Sequence, residues 1–488
     1  MLELASAEAP AGVACGLDEA DSSERKCAVI ESVVASRPAL IAIAAAALGA
    51  LAIVGLGILI KPQPASALPS FAMQTGQPCA ACHTAFPELT PFGRLFKLSG
   101  YTAGGGLTNT QAPPLALMIQ GPQFEHFQKN LDAPPTPSTS TNDNVVLSQL
   151  SLFYGGQIYD NLGAFIQGTY DGVGNSWSID NTDIRYTRTM KAFGSDLIVG
   201  VDVNNNPTVQ DVWNTTPAWG LPYISAATGP AFTPPGTMLE GGFAGGVAGA
   251  GVYAWWNNMV YAELTGYRTL SSSTQQALGL DPTSFPSIDG IAPYWRVAFA
   301  PTIGEHSFMI GAFGMYATEV PYASPGFGVD RILDIGFDAQ YQFIHGKHAF
   351  EAKVSNIYET DQYNASYALQ TTSNPTDNLD SFRASVDYVY DNTYSLTASY
   401  FDVSGSADAN LYGPNSIANS PNGNGFLFDV AYLPFSHGMP GPFPWANARI
   451  GVSYTKYLTL YGGTANFDGA GHNASDNNTF LAYSWLMF

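Results

Sequence analysis

The chain has 488 residues, of which 12% are charged and 13% aromatic, with 50 glycines and a formal charge of −21. An acidic balance of this size argues against a nucleic-acid partner and for cationic partners or an acid-adapted surface. Few charges, many aromatics and no long apolar run after residue 60 suit a mainly β protein, a membrane barrel whose strands alternate apolar and polar residues between aromatic girdles; composition by itself leaves a soluble β-sandwich open.

The one long apolar run, Ala39 to Ile60, is followed by Lys61, two prolines and Ala65-Ser66-Ala67, the small-residue pattern of a signal-peptidase site. Residues 1–67 therefore read as an export signal cleaved after Ala67. The stretch before the run carries seven acidic residues against three basic ones, the reverse of an ordinary leader, so a misassigned start or an uncleaved anchor are the alternatives. Cleavage removes four basic and seven acidic residues, moving the charge from −21 to −18, and removes Cys15 and Cys27. Only Cys79 and Cys82 remain, so no disulfide framework is available beyond that close pair.

Cys79-Ala80-Ala81-Cys82-His83 is a C-x-x-C-H sequence, the attachment signature of c-type haem. The spacing has a chemical reason: two thiols three positions apart can add to the two vinyl groups of one porphyrin, and the adjacent imidazole then lies under the iron as proximal ligand. A zinc site would need further ligands that no other mature cysteine supplies, and a thioredoxin-like pair would need a βαβ context. A helix follows, with Thr90 as cap, Pro91 at the first helical position and Gly100 to stop it. Phe92, Leu95, Phe96 and Ser99 fall on one face that can cover a porphyrin, while Arg94 and Lys97 leave that face and can pair with its propionates.

The block Leu68-Pro-Ser-Phe-Ala-Met-Gln-Thr-Gly-Gln-Pro-Cys-Ala-Ala-Cys-His83, with Phe86-Pro87-Glu88-Leu89 and Phe92-Gly93-Arg94-Leu95-Phe96-Lys97 up to Gly100-Tyr101, resembles the outer-membrane monohaem cytochrome c–porin fusion family, whose best-known members are iron(II) oxidases of iron-oxidising bacteria. The resemblance spans about 34 residues. It implies one covalent haem c on Cys79 and Cys82, with His83 as proximal ligand to the iron. One departure is Met73, where the family usually has Arg. A thioether as distal ligand would raise the potential; Met118 is the leading candidate, with Met73 and His126 behind it.

From residue 115 onward one unit repeats: a strand, a tight polar turn, another strand, a longer loop. Short turns read at Tyr159–Asn161, Phe193–Asp196, Trp256–Asn258, Thr302–Glu305, Ile344–Lys347, Tyr390–Thr393 and Phe435–Ala446. Longer loops read near residues 129–144, 171–180, 205–240, 270–290, 317–329, 359–376, 404–422 and 461–476. These connections predict a 16-stranded antiparallel transmembrane β-barrel over residues 115–488, preceded by a small α-helical monohaem cytochrome c segment over 68–114. The sorting of short against long is that of outer-membrane barrels, with short turns in the periplasm. Both chain ends then lie on the periplasmic side, and the haem segment enters the lumen from there. Leu333, Ile335, Phe337, Ala339, Tyr341 and Phe343 are expected to face lipid, and Asp334, Gly336, Asp338, Gln340 and Gln342 the lumen. Loop 205–240, long and rich in Pro and Trp, is of the length that tends to be functional; it either folds inward, bringing Trp213 or Trp219 near the haem, or stays at the surface. The terminal Phe488 after an aromatic strand resembles the recognition signal of barrel-insertion machinery.

The expected function is transfer of electrons from an extracellular one-electron donor, Fe(II) by the resemblance, through a haem in the lumen to a periplasmic cytochrome c or cupredoxin, in the outer membrane of a Gram-negative bacterium. Asp143, Asp171, Asp180, Glu359 and Asp361 are read as outer-loop acids that attract cations. The alternatives are a conduit for another donor or acceptor, and a solute porin whose haem segment is a plug.

Overall fold

The computed structural model describes residues 69–103, 114–321, 325–441 and 444–488. The export-signal reading of residues 1–67 lies outside the described residues.

Twenty strand segments join into one antiparallel sheet. They make sixteen staves, because the first two are each interrupted once and the eighth twice. These are β1 (Leu115–Gln120 continuing as Gln123–Phe127), β2 (Asn144–Val146 and Gln149–Tyr159), β3 (Leu162–Asp171), β4 (Ser176–Ala192), β5 (Ser195–Asn204), β6 (Val247–Trp256), β7 (Val260–Thr269) and β8 (Ser287–Ile288, Ala292–Phe299 and Thr302–Ile303). There follow β9 (His306–Val320), β10 (Asp330–His345), β11 (His348–Gln362), β12 (Thr376–Tyr390), β13 (Tyr394–Gly405), β14 (Gly423–Tyr432), β15 (Asn447–Thr459) and β16 (Thr479–Met487). β1 pairs with β16, which closes the sheet on itself and leaves no edge.

The alternation that specifies this sheet is visible on β10. Asp334, Gly336, Asp338, Gln340 and Gln342 are buried, whereas Ile335 and Phe337 are exposed. Around the wall the outward face is an apolar band including Leu152, Val252, Leu264, Ile310 and Val430. Aromatic side chains cluster at its short-turn margin, where Phe308, Tyr341 and Phe350 lie ring to ring and Tyr394 stacks on Tyr432 at 5.3 Å. A closed barrel with an apolar belt and an aromatic girdle is the architecture of outer-membrane proteins. The turns use the residues that tolerate positive φ: Asn257 and Asn258 (52° and 54°), Asp391 and Asn392 (54° and 50°).

One long connection was misread. Residues 172–175 form a tight turn, not a loop over 171–180, because β4 already starts at Ser176 and runs beyond its neighbours as the longest stave. Its opening residues, Ser176 to Asn181, are mostly polar and carry no clean alternation, which is why they read as loop. Three of the acids assigned to outer loops lie in strands instead: Asp180 within β4, and Glu359 and Asp361 within β11 as buried, inward-facing groups.

The inside of the wall is occupied by two stretches of chain. The first is residues 69–103, which carry α1 (Pro69–Thr75), α2 (Cys79–Cys82) and α3 (Pro91–Leu98). The second is the connection 205–246, which folds inward. Asp211 accepts from the backbone N–H groups of Trp213, Thr215 and Thr216 at 3.0, 3.0 and 3.1 Å, and Arg296 of β8 lies between Asp211 (3.4 Å) and Asp338 (2.5 Å). Trp213 is buried against that guanidinium.

Candidate functional site

The C-x-x-C-H motif forms a single helical turn. In α2 the His83 N–H donates to the Cys79 carbonyl at 2.9 Å, and His83 itself is extended, so the chain leaves the turn at the imidazole. Spacing of i and i+3 puts both thiols on the same side of the turn. Both cysteines are buried. Burial pushes the Cys79 thiol up to about 12 and the Cys82 thiol up to about 11, which argues against a reactive thiolate at this pair.

α3 is fixed to that turn. Thr90 accepts from Gly93 N–H at 3.2 Å as the N-cap, while its hydroxyl donates to the Ala81 carbonyl at 2.6 Å and its N–H to the Cys82 carbonyl at 2.9 Å. Pro91 takes the first helical position, and Gly100 ends the segment at φ 69°. A Cβ at Gly93 would overlap the Cys82 carbonyl, so glycine is what lets the two helices touch.

Between the helices, residues 83–89 make a small hairpin that holds the imidazole. His83 Nδ1 lies 3.1 Å from the Glu88 carbonyl, which also accepts from Thr84 N–H at 3.2 Å. With Nδ1 donating there, Nε2 is the unprotonated nitrogen of the neutral ring, the tautomer that metal-bound imidazoles use. Burial lowers the His83 pKa to about 4, against the raising effect of the Glu88 and Pro87 carbonyls. The ring is therefore neutral at physiological pH.

The barrel wall and the inward connection grip this hairpin carbonyl by carbonyl. Asn392 donates to the carbonyls of His83 and Thr84 at 3.0 Å each, Arg449 to that of Phe86 at 2.9 Å, Asn214 to that of Pro87 at 3.2 Å and Gln342 to that of Leu89 at 3.1 Å. The Glu88 carboxylate meets Lys353 of β11, which also holds Glu351 at 2.7 Å. Asn392 belongs to a short turn and Arg449 to the start of β15, so the grip lies at the short-turn end of the barrel.

A cavity of about 390 Å³ opens between this segment and the wall. Cys79, Cys82 and His83 line it on one side, and Met118 of β1 and Met487 of β16 on another. Phe71, Phe96, Phe153, Phe165, Trp219 and Trp485 supply apolar walls, and Gln120, Gln149, Gln167 and Lys97 a polar part. The indole Nε1 of Trp485 is buried without a hydrogen-bond partner. Its size falls in the usual range for ligand sites. Two thiols, one imidazole with a fixed tautomer, thioethers, aromatic walls and a set of polar side chains are functional groups that suit a c-type porphyrin.

The sequence expectations fare unevenly here. Met118 is buried, faces inward and lines the cavity. Met73 is 39% exposed and His126 pairs with Asp143 at 2.8 Å near the long loops; neither lines it. Arg94 does not line it either: its guanidinium donates to the Leu89 carbonyl (2.9 Å), Gln340 (3.3 Å) and Gln342 (3.2 Å). The cation at the cavity is Lys97, which donates to the carbonyls of Val209 and Asp211 at 2.6 and 2.8 Å and sits 4.8 Å over the Trp219 ring. Burial lowers its pKa to about 7. The face of α3 toward the cavity is Gly93, Phe96 and Lys97; Phe92 and Leu95 line a second recess with Trp213 and Trp255. Of the two tryptophans considered, Trp219 reaches the cavity and Trp213 does not. Met487 was missed altogether.

On the far side of the inward connection lies a second, polar chamber of about 260 Å³, lined among others by Ser355, Ser381, Arg383 and Ser385. Asn214, Ala218, Gly220 and Pro222 line both chambers. Among the described residues, no three His, Cys, Asp or Glu side chains converge as a metal-ligand group.

No family model matches the chain, and no curated protein matches it. Among solved structures, it is similar to OmpF of Salmonella typhi in complex with daunomycin (12% identity, TM-score 0.42, covering 77% of this chain and 97% of that one). It is also similar to the outer membrane channel DcaP of Acinetobacter baumannii (11% identity, TM-score 0.40, covering 77% and 96%) and to OprB of Pseudomonas putida (10% identity, TM-score 0.40, covering 76% and 92%).

Proposed function

We propose that this chain is an outer-membrane electron-transfer protein carrying one covalent haem c at its short-turn, periplasmic end. The observation that carries the reading is the cavity in which Cys79, Cys82 and His83 meet inward-facing methionines of the wall. Cys79 and Cys82 would attach the porphyrin and His83 ligate its iron, with Met118 as distal candidate. Lys97 and the glutamines would face its polar edge, in place of Arg94. The bound haem supplies a one-electron couple; the chain's own groups orient the imidazole, exclude water with aromatic walls and insulate the centre from lipid. The donor is extracellular, Fe(II) by the resemblance of the segment, and the acceptor a periplasmic cytochrome c or cupredoxin.

The mature protein should carry one haem per chain that survives acid-acetone extraction, and stopped-flow mixing with Fe(II) should reduce it. An extractable haem, or none, overturns the assignment.

A second reading is a solute porin plugged by residues 69–103, favoured by the sixteen-stave wall and by the polar chamber beside the inward connection. Planar-bilayer conductance separates the two, since a porin passes ions steadily and an electron conduit does not need to.

A further inference from the structure

The closing seam of the barrel is its shortest ladder. β1 and β16 share three registered pairs, Met118 with Met487, Ile119 with Leu486 and Gln120 with Trp485, and after a break at Gly121-Pro122 four more from Phe124 to Phe127. β10 and β11, by contrast, run in register from Arg331 to His345 without interruption. The register shifts by one residue at Gly121-Pro122, and a single backbone bond, Gly121 N–H to the Ser484 carbonyl at 2.9 Å, spans the gap between the two runs.

Met118 and Met487 are directly opposite one another across this seam. Opposed residues of an antiparallel pair project from the same face, and both are buried, 3% and 8% exposed, in the cluster that contains Phe86 of the N-terminal segment. Both line the cavity of Cys79, Cys82 and His83. The other lining groups able to ligate iron are few. No second histidine is among them; the Lys97 amine is committed to two carbonyls, Tyr101 donates to Asp183 at 2.6 Å, and Asp180 and Tyr223 accept from Thr169 and Lys353, which leaves the thioethers as the soft donors of the lining.

We infer that the sixth ligand of the haem iron is a thioether from the Met118–Met487 pair, so that haem loading ties residues 69–103 to one strand of the seam, packs the second thioether against the same group and reinforces the closure. The inference rests on the haem reading above and adds to it a coupling between cofactor and barrel closure.

The test uses the full mature chain, expressed with haem-attachment machinery and purified in detergent, as wild type, Met118→Leu, Met487→Leu and the double variant. Leucine keeps the volume nearly constant, so the fold is retained. Haem content is measured first; a chain without covalent haem refutes the haem assignment and not the ligand. In loaded wild type the ferric sulfur-to-iron charge-transfer band is expected, and in the double variant its loss, with a midpoint potential lower by at least about 59 mV, tenfold in a one-electron equilibrium. The temperature at which the barrel opens, read by gel mobility, should be higher in loaded wild type than in haem-free Cys79→Ser/Cys82→Ser, and the double variant should lose that difference. A band that persists in the double variant, or loaded wild type without one, overturns the proposal.

Discussion

The inner and outer halves of the barrel balance charge in opposite ways. Toward the short turns three buried cations of the wall meet carboxylates, Arg185 with Asp183 at 2.8 Å, Arg449 with Asp429 at 2.7 Å and Lys353 with Glu88 and Glu351, while Arg94 and Lys97 of the N-terminal segment are held by carbonyls and glutamines. Toward the long loops the strands place like charges directly opposite one another: Glu319 across from Asp330, Asp334 from Glu359, Asp361 from Asp377. Those carboxylates are answered by backbone N–H groups of the long connections, Leu239 to Asp334 at 2.9 Å and Ala365 to Asp330 at 2.8 Å. Asp334 Oδ1, Asp361 Oδ1 and Asp377 Oδ2 are buried without a partner. The inner half thus holds ion pairs around the N-terminal segment, and the outer half sets buried carboxyls against one another and against backbone donors. Position along the barrel axis, more than burial, decides what a charge does here.

The largest test falls on the inner half. His83→Ala is expected to abolish reduction by the external donor while the barrel still forms, because the wall draws on strand pairing; heat-dependent gel mobility checks the barrel and visible spectra the reduction. Loss of the barrel would show that the segment is needed for assembly.

Next in size, Arg449→Met removes one partner of a buried pair, bonded also to Tyr483 and the Phe86 carbonyl, and should cost about 3–5 kcal/mol in urea unfolding. Arg383→Met, whose side chain is 41% exposed and whose partner Glu240 keeps the Ser381 hydroxyl as a donor, should cost less than Arg449→Met. Equal costs would erase the contrast between the halves.

Gly93→Ala should cost about 1–3 kcal/mol by forcing α3 off the Cys82 carbonyl, and should lower the fraction of chains that acquire haem. The smallest effect belongs to the outer mouth. Asp361→Asn relieves its opposition to Asp377 and should stabilise by roughly 0.2–1 kcal/mol at neutral pH, an advantage that shrinks in acid as the carboxyls protonate. A destabilised Asp361→Asn would mean that the charges there are already paired.

Most of the wall was legible because its information is local. Asn257-Asn258 and Asp391-Asn392 announce their turns, and the dyad of β10 announces its two faces. The C-x-x-C-H turn and the Thr90 cap are local as well. What sequence could not supply is orientation inside a surrounding wall. α3 is apolar at Phe92, Leu95, Phe96 and Leu98, and it meets protein on more than one side, so periodicity selects no single face. Arg94 and Lys97 are three residues apart, yet one turns to β10 and the other to the cavity. Met487 lay beyond reach for a different reason: its partner Met118 is at the other end of the barrel sequence and meets it only when the sheet closes.

The stretch Asn214 to Pro222, which lines both interior chambers, is a septum of a single polypeptide segment. Such a partition is a short tunnelling step for an electron and a desolvation barrier for a hydrated ion. With haem on one side and a donor in the polar chamber on the other, charge could cross without matter crossing. The oxidised product would then be left in the compartment it came from, and the membrane would lose none of its tightness in the exchange.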